Sequence, residues 1–484
     1  MNTPIIKLFG VVIVLYALLF GFTSYWSIFD AEGLENNVAN KRPLLEEQQI
    51  DRGDILASDG SVIATSNPRG QGSDRVFIRE YPEGGLFGNP IGYSFVERGR
   101  VGFELFHNDE LVGNKTEFLS IIDELRGQVQ EGDDVQSSLD PEAQQTALDA
   151  LGGQKGSVVA MVPSTGEVKA MVSVPTYDPN EVVNERAFQA LNQDDDAPLF
   201  NRATQAGYQP GSTMKVVTAT AALDSGEFSP EDTVSGENGK VISGVPLNNA
   251  GGEDFGEIDL TTALTNSVNT VWAEVGEDLG TDTMYKYMDR FGFNEQPPLD
   301  YPSFQIAPSG EFADGRLLGP DSDLIDVGRM AIGQDKLNVT PLQMAMVASA
   351  VANDGELMEP RLWSKVIDPD GREDDLEPER QSRVMSEETA STLTEMMTDV
   401  VNEGTGGAAA LAEDQVAGKT GTAEIDIARG INQAWFIGFA PADDPRIAVA
   451  ATVERTSGQG GTVAAPIAQQ VLEVLLANSG ESDG

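Results

Sequence analysis

Cysteine is absent from the 484-residue chain, and histidine occurs once, as His107. The chain therefore has no disulfide, no thiolate metal site and no cysteine nucleophile. A serine-histidine-aspartate triad would have to use His107, whose surroundings, GFELFHNDELVG, favour a structural role, so such a triad is disfavoured. Because the sequence contains no histidine or cysteine cluster, we expect neither a metal nor another cofactor.

Basic residues are scarce. Lysine and arginine total 31 against 78 aspartates and glutamates, which gives a formal net charge of -47. A chain this acidic repels polyanions, so we expect no nucleic-acid partner. The acids are dispersed, as is typical of a solvated surface, although adaptation to saline surroundings is an alternative that the sequence leaves open. The chain also contains no glycine-rich motif for binding phosphates.

One long hydrophobic run, residues 8–29, carries no charge and would form roughly 33 Å of helix, enough to cross a bilayer. The bulky residues that follow it, in SYWSIFDAEG, favour an uncleaved anchor over a cleaved signal peptide. Lys7 before the run and Tyr25 and Trp26 near its far end favour a cytoplasmic start at 1–7. We therefore expect a single-pass protein of the cell membrane with an extracytoplasmic body.

Residues 30–150 are predicted to form a small β-rich module above the membrane. Its clearest signal is RGDILASDGSVIATS, a hairpin with a turn at residues 58–60. Residues 140–153 then predict a helix with an aspartate cap, a proline in the first turn and a glycine stop. We place a second domain at 151–476 and a frayed tail at 477–484.

The second domain is predicted to have an α+β fold. Residues 156–174 read as a strand, a tight turn at 164–166 and another strand. Three more strands, VAGKTGTAEI, QAWFIGFA and RIAVAATVE, lie near the other end and precede an amphipathic helix at 465–478. Strands from both ends with helices between them predict one mixed antiparallel sheet covered by helices.

The segment QPGSTMKVV places Ser212 after a Pro-Gly turn and Lys215 three positions later. Both lie on one face of a helix predicted to begin at Ser212, so the hydroxyl and the amine can meet. Apolar neighbours favour a neutral Lys215, and a neutral amine beside a hydroxyl is a general base. The helix start would also help an oxyanion to form. Since Ser-x-x-Lys arises by chance about once in such a chain, the pair alone does not define a site.

Two further motifs follow in order, Ser267-Val268-Asn269 and Lys419-Thr420-Gly421, the latter with Thr422 behind it. On a strand, the lysine and the two threonines suit an anion clamp, and the glycine lets another backbone approach closely. Each motif alone has an ordinary structural explanation. The ordered combination of all three is improbable by chance.

This combination resembles the motifs of the penicillin-binding proteins. The resemblance extends to PLFNRATQAGYQPGSTMK, AIGQDKLNVTPLQMA, EGTGGAA and AWFIGFAP, and so covers about 150 to 476. The anchor, RGDILASDG and GFELFHNDELVG are similar to the amino-terminal part of monofunctional, class B members, most like actinobacterial elongation-type or septal-type relatives. Too few residues separate anchor and module for a glycosyltransferase domain. One departure is Gln433, where relatives often carry histidine.

The resemblance implies the penicillin-binding transpeptidase fold, which serine β-lactamases share, and a peptidoglycan D,D-transpeptidase that β-lactams acylate. It implies that Ser212 attacks stem peptides ending in D-Ala-D-Ala, Lys215 is its base, Ser267 relays a proton to the leaving amine and Asn269 orients Lys215. The implied substrate-binding residues are Lys419, Thr420, Gly421 and Thr422. It also implies that the module at 30–150 is a pedestal or dimerisation unit. The implied protein partner is a polytopic membrane glycosyltransferase of the shape, elongation, division and sporulation family.

Three alternatives stay open at this point. A serine β-lactamase shares the motifs, but the class A Glu-x-x-Leu-Asn element is not found between the second and third of them. A D,D-carboxypeptidase would use water in place of an acceptor amine. A non-catalytic scaffold would mainly activate the glycosyltransferase. The sequence does not distinguish elongation from septation, and it identifies neither the acceptor amine nor the oligomeric state.

Overall fold

The computed structural model describes residues 3–25, 41–72, 75–113 and 130–481. Its first element is an apolar helix, Thr3–Ser24, that has no buried residue and is long enough to span a membrane. This helix begins five positions before the predicted anchor, whose positions 26–29, including Trp26, lie outside the described residues. A second helix of sufficient length, Gly460–Asn478, is half buried within the protein and forms part of its core.

Strands are numbered in chain order: β1 Ile55–Leu56, β2 Val62–Arg69, β3 Val76–Glu80, β4 Tyr93–Phe95, β5 Gly99–Val101, β6 Asp134–Ser137, β7 Gly156–Met161, β8 Val168–Val174, β9 Thr233–Ser235, β10 Lys240–Ile242, β11 Val245–Leu247, β12 Glu257–Asp259, β13 Gly310–Ala313, β14 Arg316–Leu317, β15 Leu337–Asn338, β16 Glu356–Met358, β17 Trp363–Ile367, β18 Glu373–Asp375, β19 Arg380–Arg383, β20 Ala417–Asp426, β21 Ile431–Ala440 and β22 Ile447–Thr456. The α-helices after the first are Arg42–Glu47, Gly88–Ile91, Phe103–Phe106, Asn108–Leu111, Pro141–Leu151, Glu185–Gln193, Arg202–Gln205, Lys215–Asp224, Leu260–Thr265, Asn269–Arg290, Val327–Met330, Pro341–Ala352, Glu387–Asn402 and Gly460–Glu481.

The amino-terminal module is built on a sheet of order β18-β17-β6-β1-β2-β3. The predicted hairpin is present, since β1 pairs antiparallel with β2 and Gly60 takes a φ of +83° in the turn. Strands β17 and β18 come from far along the chain, and β17 pairs with β6 through Val366 and Val135. The sequence did not predict that two strands from the second domain complete the sheet of the first.

The junction between the two parts also contains the single histidine. His107 is buried, its ring centre lies 5.1 Å from that of Trp363 in β17, and its Nε2 lies 3.6 Å from a carboxylate oxygen of Asp300. These neighbours tie the module to the second domain through packing, in the structural role that the sequence favoured.

The helix predicted over 140–153 spans Pro141–Leu151. The Asp140 side chain accepts a hydrogen bond from the Ala143 amide, and Gly152 has a left-handed φ of +59° just past the end. An acceptor at the N-cap and a glycine after the last turn satisfy backbone groups that the helix leaves unpaired. The start and the stop are therefore confirmed.

The main sheet has the order β20-β21-β22-β7-β8, and every neighbouring pair is antiparallel. Both ends of the second domain contribute to it, as predicted. Strand β7 is buried along its length, because Val158 and Ala160 face one core while Val159 and Met161 face the other. Strand β20 lies at the edge, so one side of its backbone has no partner strand within this sheet.

Helices cover both faces of this sheet. Pro141–Leu151 and Gly460–Glu481 pack on one face, and Lys215–Asp224, Pro341–Ala352 and Glu387–Asn402 contribute to the core on the other. The last helix extends through residues predicted to be a frayed tail: 477–481 are helical, and 482–484 lie outside the described part of the chain.

Candidate active site

Ser212 lies in a 3-10 turn, Gly211–Met214, that leads into the α-helix Lys215–Asp224. The prediction of an α-helix from Ser212 was therefore wrong in its first turn, which is tighter because Gly211 turns the chain with a φ of +54°. Ser212 is partly exposed, while the ten residues that follow it are buried. The serine is thus the accessible point at the start of a buried helix.

The backbone before Ser212 is held by the loop that follows residue 330. The Gly211 amide donates to the Gly333 carbonyl over 2.9 Å, and Gln209 Nε2 donates to the Asp335 carbonyl over 2.8 Å. From β21, Trp435 Nε1 donates to the Gln209 carbonyl over 3.0 Å. A Cβ on Gly333 would lie 2.0 Å from the Gly211 oxygen, so the close approach requires glycine there.

Lys215 is completely buried. Its Nζ lies 2.7 Å from the Ser267 carbonyl oxygen, 2.8 Å from Asn269 Oδ1 and 3.2 Å from Ser267 Oγ. Burial, together with the nearby Lys419 amine, lowers the pKa of Lys215 well below its ordinary value. The structure therefore favours a neutral amine, as the sequence predicted.

The hydroxyl of Ser212 and the amine of Lys215 share the same end of the helix, but no hydrogen bond joins them among the described residues. The Lys215 amine is bonded instead to oxygens of the second motif, which belong to Ser267 and Asn269. In enzymes without bound substrate, catalytic hydrogen bonds are often long and shorten only in the complex.

The Ser267 hydroxyl contacts the amines of two lysines. Lys419 Nζ lies 2.9 Å from Ser267 Oγ, the atom that also contacts Lys215 Nζ. Burial lowers the pKa of Lys419 to about 7. Ser267 adopts a φ of +57°, a strained value for a residue with a side chain, just before the helix that begins at Asn269. This backbone conformation places the Ser267 hydroxyl within reach of both lysines and the Ser267 carbonyl within reach of Lys215.

The third motif lies on the edge strand β20, and its residues alternate between two faces. Lys419 and Gly421 face the serine turn, since a Cβ on Gly421 would lie 2.6 Å from the Pro210 oxygen. Thr420 and Thr422 face the other way: Thr422 Oγ1 accepts from the Gly460 amide over 3.1 Å. The glycine therefore permits the close backbone approach that the sequence predicted, while the amine and the two hydroxyls lie on opposite faces of the strand.

One neighbour of this strand was given no role by the sequence analysis. Thr405, in the segment EGTGGAA, places its hydroxyl 2.6 Å from that of Thr420 and so fixes the rotamer of that side chain. Gly333, Gln209 and Trp435 were missed in the same way. The signal available was that these residues lie in the segments that carry the family resemblance, but no local pattern indicates what they touch.

The departure at Gln433 has a local explanation. Gln433 is buried in β21, and its Nε2 donates to Thr452 Oγ1 over 2.6 Å. Thr452 in turn donates to the Ala434 carbonyl over 3.0 Å. The Gln433 side chain therefore finds its hydrogen-bond partner within the sheet, on the second strand from the edge.

An accessible serine, a buried lysine of lowered pKa and a second serine-lysine pair beside a free strand edge define a serine acyltransferase that needs no histidine. The family comparison agrees with this class. A model of the penicillin binding protein transpeptidase domain matches residues 156–473, and one of the penicillin binding protein A dimerisation domain matches residues 52–135. The chain belongs to the penicillin-binding protein transpeptidases, of class B.

Similar proteins cover almost the whole chain. The peptidoglycan D,D-transpeptidase PbpA of Mycolicibacterium smegmatis is 35% identical over 500 residues, which is 98% of this chain and 99% of that protein. PbpA of Mycobacterium tuberculosis is 33% identical over 502 residues, with the same two coverages. The structure of penicillin-binding protein A from M. tuberculosis as a penicillin G acyl-enzyme complex has a TM-score of 0.78 at 32% identity, covering 88% of this chain and all of that one.

Proposed function

We propose that the chain crosslinks peptidoglycan stem peptides as a D,D-transpeptidase through an acyl-enzyme on Ser212, and that β-lactams acylate the same serine. The observation that carries the residue assignment is the pair of buried lysine amines that share Ser267 Oγ. Such a chain of groups can accept a proton at one end and deliver it at the other without a histidine.

In the first half-reaction, Lys215 takes the proton of the Ser212 hydroxyl, and the serine oxygen attacks the carbonyl of the penultimate D-Ala. The backbone amides of Ser212 and Thr422 hold the resulting oxyanion. A short distance between these two backbone segments supports this, since a Cβ on Gly211 would lie 3.0 Å from the Thr422 carbonyl carbon. The peptide C–N bond then breaks, and Ser267 relays a proton to the departing D-Ala amine.

In the second half-reaction, an amine of a neighbouring stem peptide attacks the ester carbonyl. A new amide bond forms, the ester bond breaks, and the proton lost by the amine returns to Ser212 through Lys215. Asn269 orients Lys215 through its 2.8 Å contact. The donor peptide aligns along the free edge of β20. At that edge its terminal carboxylate meets the Lys419 amine from one face of the strand and the Thr420 and Thr422 hydroxyls from the other.

A reaction with two peptides tests this function. The full chain in neutral detergent is mixed with a donor peptide that ends in D-Ala-D-Ala and with an acceptor peptide that carries a free amine. We expect a crosslinked product and one free D-Ala per crosslink, both measured by mass spectrometry. A matched donor with a C-terminal amide lacks the carboxylate and should react at least about 10-fold more slowly, since a charged hydrogen bond contributes about 1.5–3 kcal/mol. Hydrolysed donor without crosslinks would instead indicate a carboxypeptidase.

We further propose that helix Thr3–Ser24 anchors the chain in the cell membrane as a single span, with residues 1–7 cytoplasmic and the body extracytoplasmic. The helix is apolar and makes no buried contact with the described residues, so a bilayer would satisfy its surface. We keep the proposed boundaries, a module at 30–150 and a transpeptidase domain at 151–476, with β17 and β18 added to the sheet of the module.

The proposed partner is a polytopic membrane glycosyltransferase of the shape, elongation, division and sporulation family, which would contact the span and the module. Family resemblance supports it, together with the exposed apolar helix. Exchanging residues 1–29 for an unrelated single-pass anchor should abolish copurification of the glycosyltransferase from detergent-solubilised membranes. Copurification that is unchanged by the exchange would remove the span from the interface.

A further inference from the structure

The module contains a cavity of about 200 Å³ that none of the residues around Ser212 lines. Its lining includes Arg52, Arg69, Arg79 and Arg100, together with aromatic rings of Phe77 and Phe95. Four arginines around one small cavity are unexpected in a chain with a formal net charge of -47. The volume corresponds to roughly seven waters at about 30 Å³ each, which suits a compact ligand and excludes a folded peptide.

Two buried arginines beside this cavity share one bonded carboxylate. Arg52 and Arg79 both bond to Glu104, with Nε to oxygen distances of 2.8 Å and 2.6 Å, and both side chains are at most 7% exposed. Although burial opposes ionisation, the two guanidinium groups lower the pKa of Glu104 to about 2, so it carries one negative charge. Among the described residues no other carboxylate bonds to either arginine. One of the two arginines is therefore without a bonded carboxylate of its own, although the Asp54 and Asp134 carboxylates lie near enough to Arg79 to attract it.

Some arginine hydrogen-bond donors at the cavity have no partner among the described residues. Arg79 Nη2 is buried and has no partner among the described residues, although the rest of its guanidinium is fully engaged. The Arg69 backbone pairs with Val76 in the next strand, but its side chain is exposed and has no hydrogen bond or ion pair within the part of the chain that the structure describes. Arg100, by contrast, is paired with Glu47 on the cavity wall. Glu97 also lines the cavity and is exposed.

We propose that this cavity binds a small anion of the phosphate-ester type, free or as the headgroup of a membrane lipid. The planar guanidinium groups of Arg69 and Arg79 match the oxygens of a phosphate, and the anion supplies an acceptor for the donors that have no partner. Leu44, Phe77 and Phe95 provide an apolar wall for the carbon part of the ester. Helix Arg42–Glu47, which contributes Leu44, is the first described element after the apolar helix Thr3–Ser24.

Calorimetric titration of the full chain in neutral detergent tests the site. The probes are dihexanoyl-phosphatidylglycerol, its zwitterionic phosphatidylcholine counterpart and sodium phosphate. We expect the anionic lipid to bind and the zwitterionic lipid to bind at least about 10-fold more weakly. Arg69→Gln should weaken binding of the anionic lipid by about 10-fold, which is the loss of one charged hydrogen bond. Arg186→Gln, a substitution of an exposed arginine outside the cavity, is the matched control and should change nothing.

Arg79→Lys provides a second, independent variant, because lysine keeps the positive charge beside Glu104 but removes the unpartnered Nη2. Chemical denaturation establishes that it is folded, and we expect the same loss of anion binding. Binding of both phosphate and the anionic lipid supports a site for phosphate esters in general, and binding of the lipid alone supports a headgroup site. The proposal is overturned if neither binds, if the two lipids bind equally, or if neither arginine variant weakens binding.

Discussion

Replacing Ser212 with alanine is expected to abolish the covalent adduct that the chain should form with a β-lactam, as followed by intact-mass measurement over time. The proposed route uses the Ser212 oxygen as the atom that bonds to the opened lactam. Removal of a serine nucleophile lowers the rate by about 10⁶-fold in comparable serine enzymes, so no adduct should form within hours. The wild-type chain should carry one adduct that persists, because among the described residues no carboxylate is hydrogen-bonded to Lys215, Ser267 or Lys419 and so placed to activate water.

Ser225→Ala is the matched control. Ser225 is an exposed serine just past the end of the same helix, and its hydroxyl donates to the Ala222 carbonyl over 3.1 Å and accepts from the Glu227 amide over 3.3 Å. Its removal should leave the adduct unchanged. An adduct on the Ser212→Ala variant would contradict the assignment of the nucleophile. Rapid loss of the wild-type adduct would indicate a β-lactamase, and a wild-type chain without an adduct would indicate a scaffold.

Replacing Lys215 with methionine is expected to slow acylation by about 10² to 10⁴-fold, equivalent to about 3–5 kcal/mol of transition-state stabilisation. Methionine fills much of the same buried space, so the loss reports the missing base and not a collapsed core. Stopped-flow acylation with a fluorescent penicillin measures the rate. Lys286→Met, at an exposed lysine, should be silent, and an unchanged rate in Lys215→Met would refute the role of the base.

The pH profile gives this variant a second readout. The base acts when neutral, so the wild-type rate should rise with pH through the pKa of Lys215, which lies well below the ordinary 10.5. The Lys215→Met variant should lack that acidic limb. Since the pKa of Lys419 is about 7 in the absence of ligand, its positive charge and thus its attraction for a carboxylate should weaken above about pH 7. The wild-type profile is therefore expected to be bell-shaped.

Local patterns predicted much of the architecture. The capped helix Pro141–Leu151, the hairpin around Gly60 and the strands on both sides of the main sheet each follow from signals within about a dozen neighbouring residues. The desolvation of Lys215 was also predicted, because the helix that begins at this lysine is apolar and is buried along most of its length. Such features depend on turn chemistry, capping and periodicity, which act over short distances along the chain.

Features that depend on contacts between distant segments could not be read in this way. Ser267 contacts Lys215 and Lys419 from a strained backbone, and neither the strain nor the shared contact has a local signature. The pairing of the hydroxyls of Thr405 and Thr420, and the fit of Gly333 against Gly211, likewise arise only when separate loops meet. Close packing decides these contacts, and sequence order alone does not encode it.

The sheet that β6 shares with β17 also has a consequence for the order of events during synthesis. When Ser137 leaves the ribosome, the outer edge of β6 has no strand to pair with until Trp363 to Ile367 have been made. At 5–20 residues per second, that interval lasts roughly 10 to 45 seconds. For that time a strand edge with open amides and carbonyls is a template for intermolecular pairing. The nascent chain therefore passes through a period in which its first domain cannot close alone and is most exposed to aggregation.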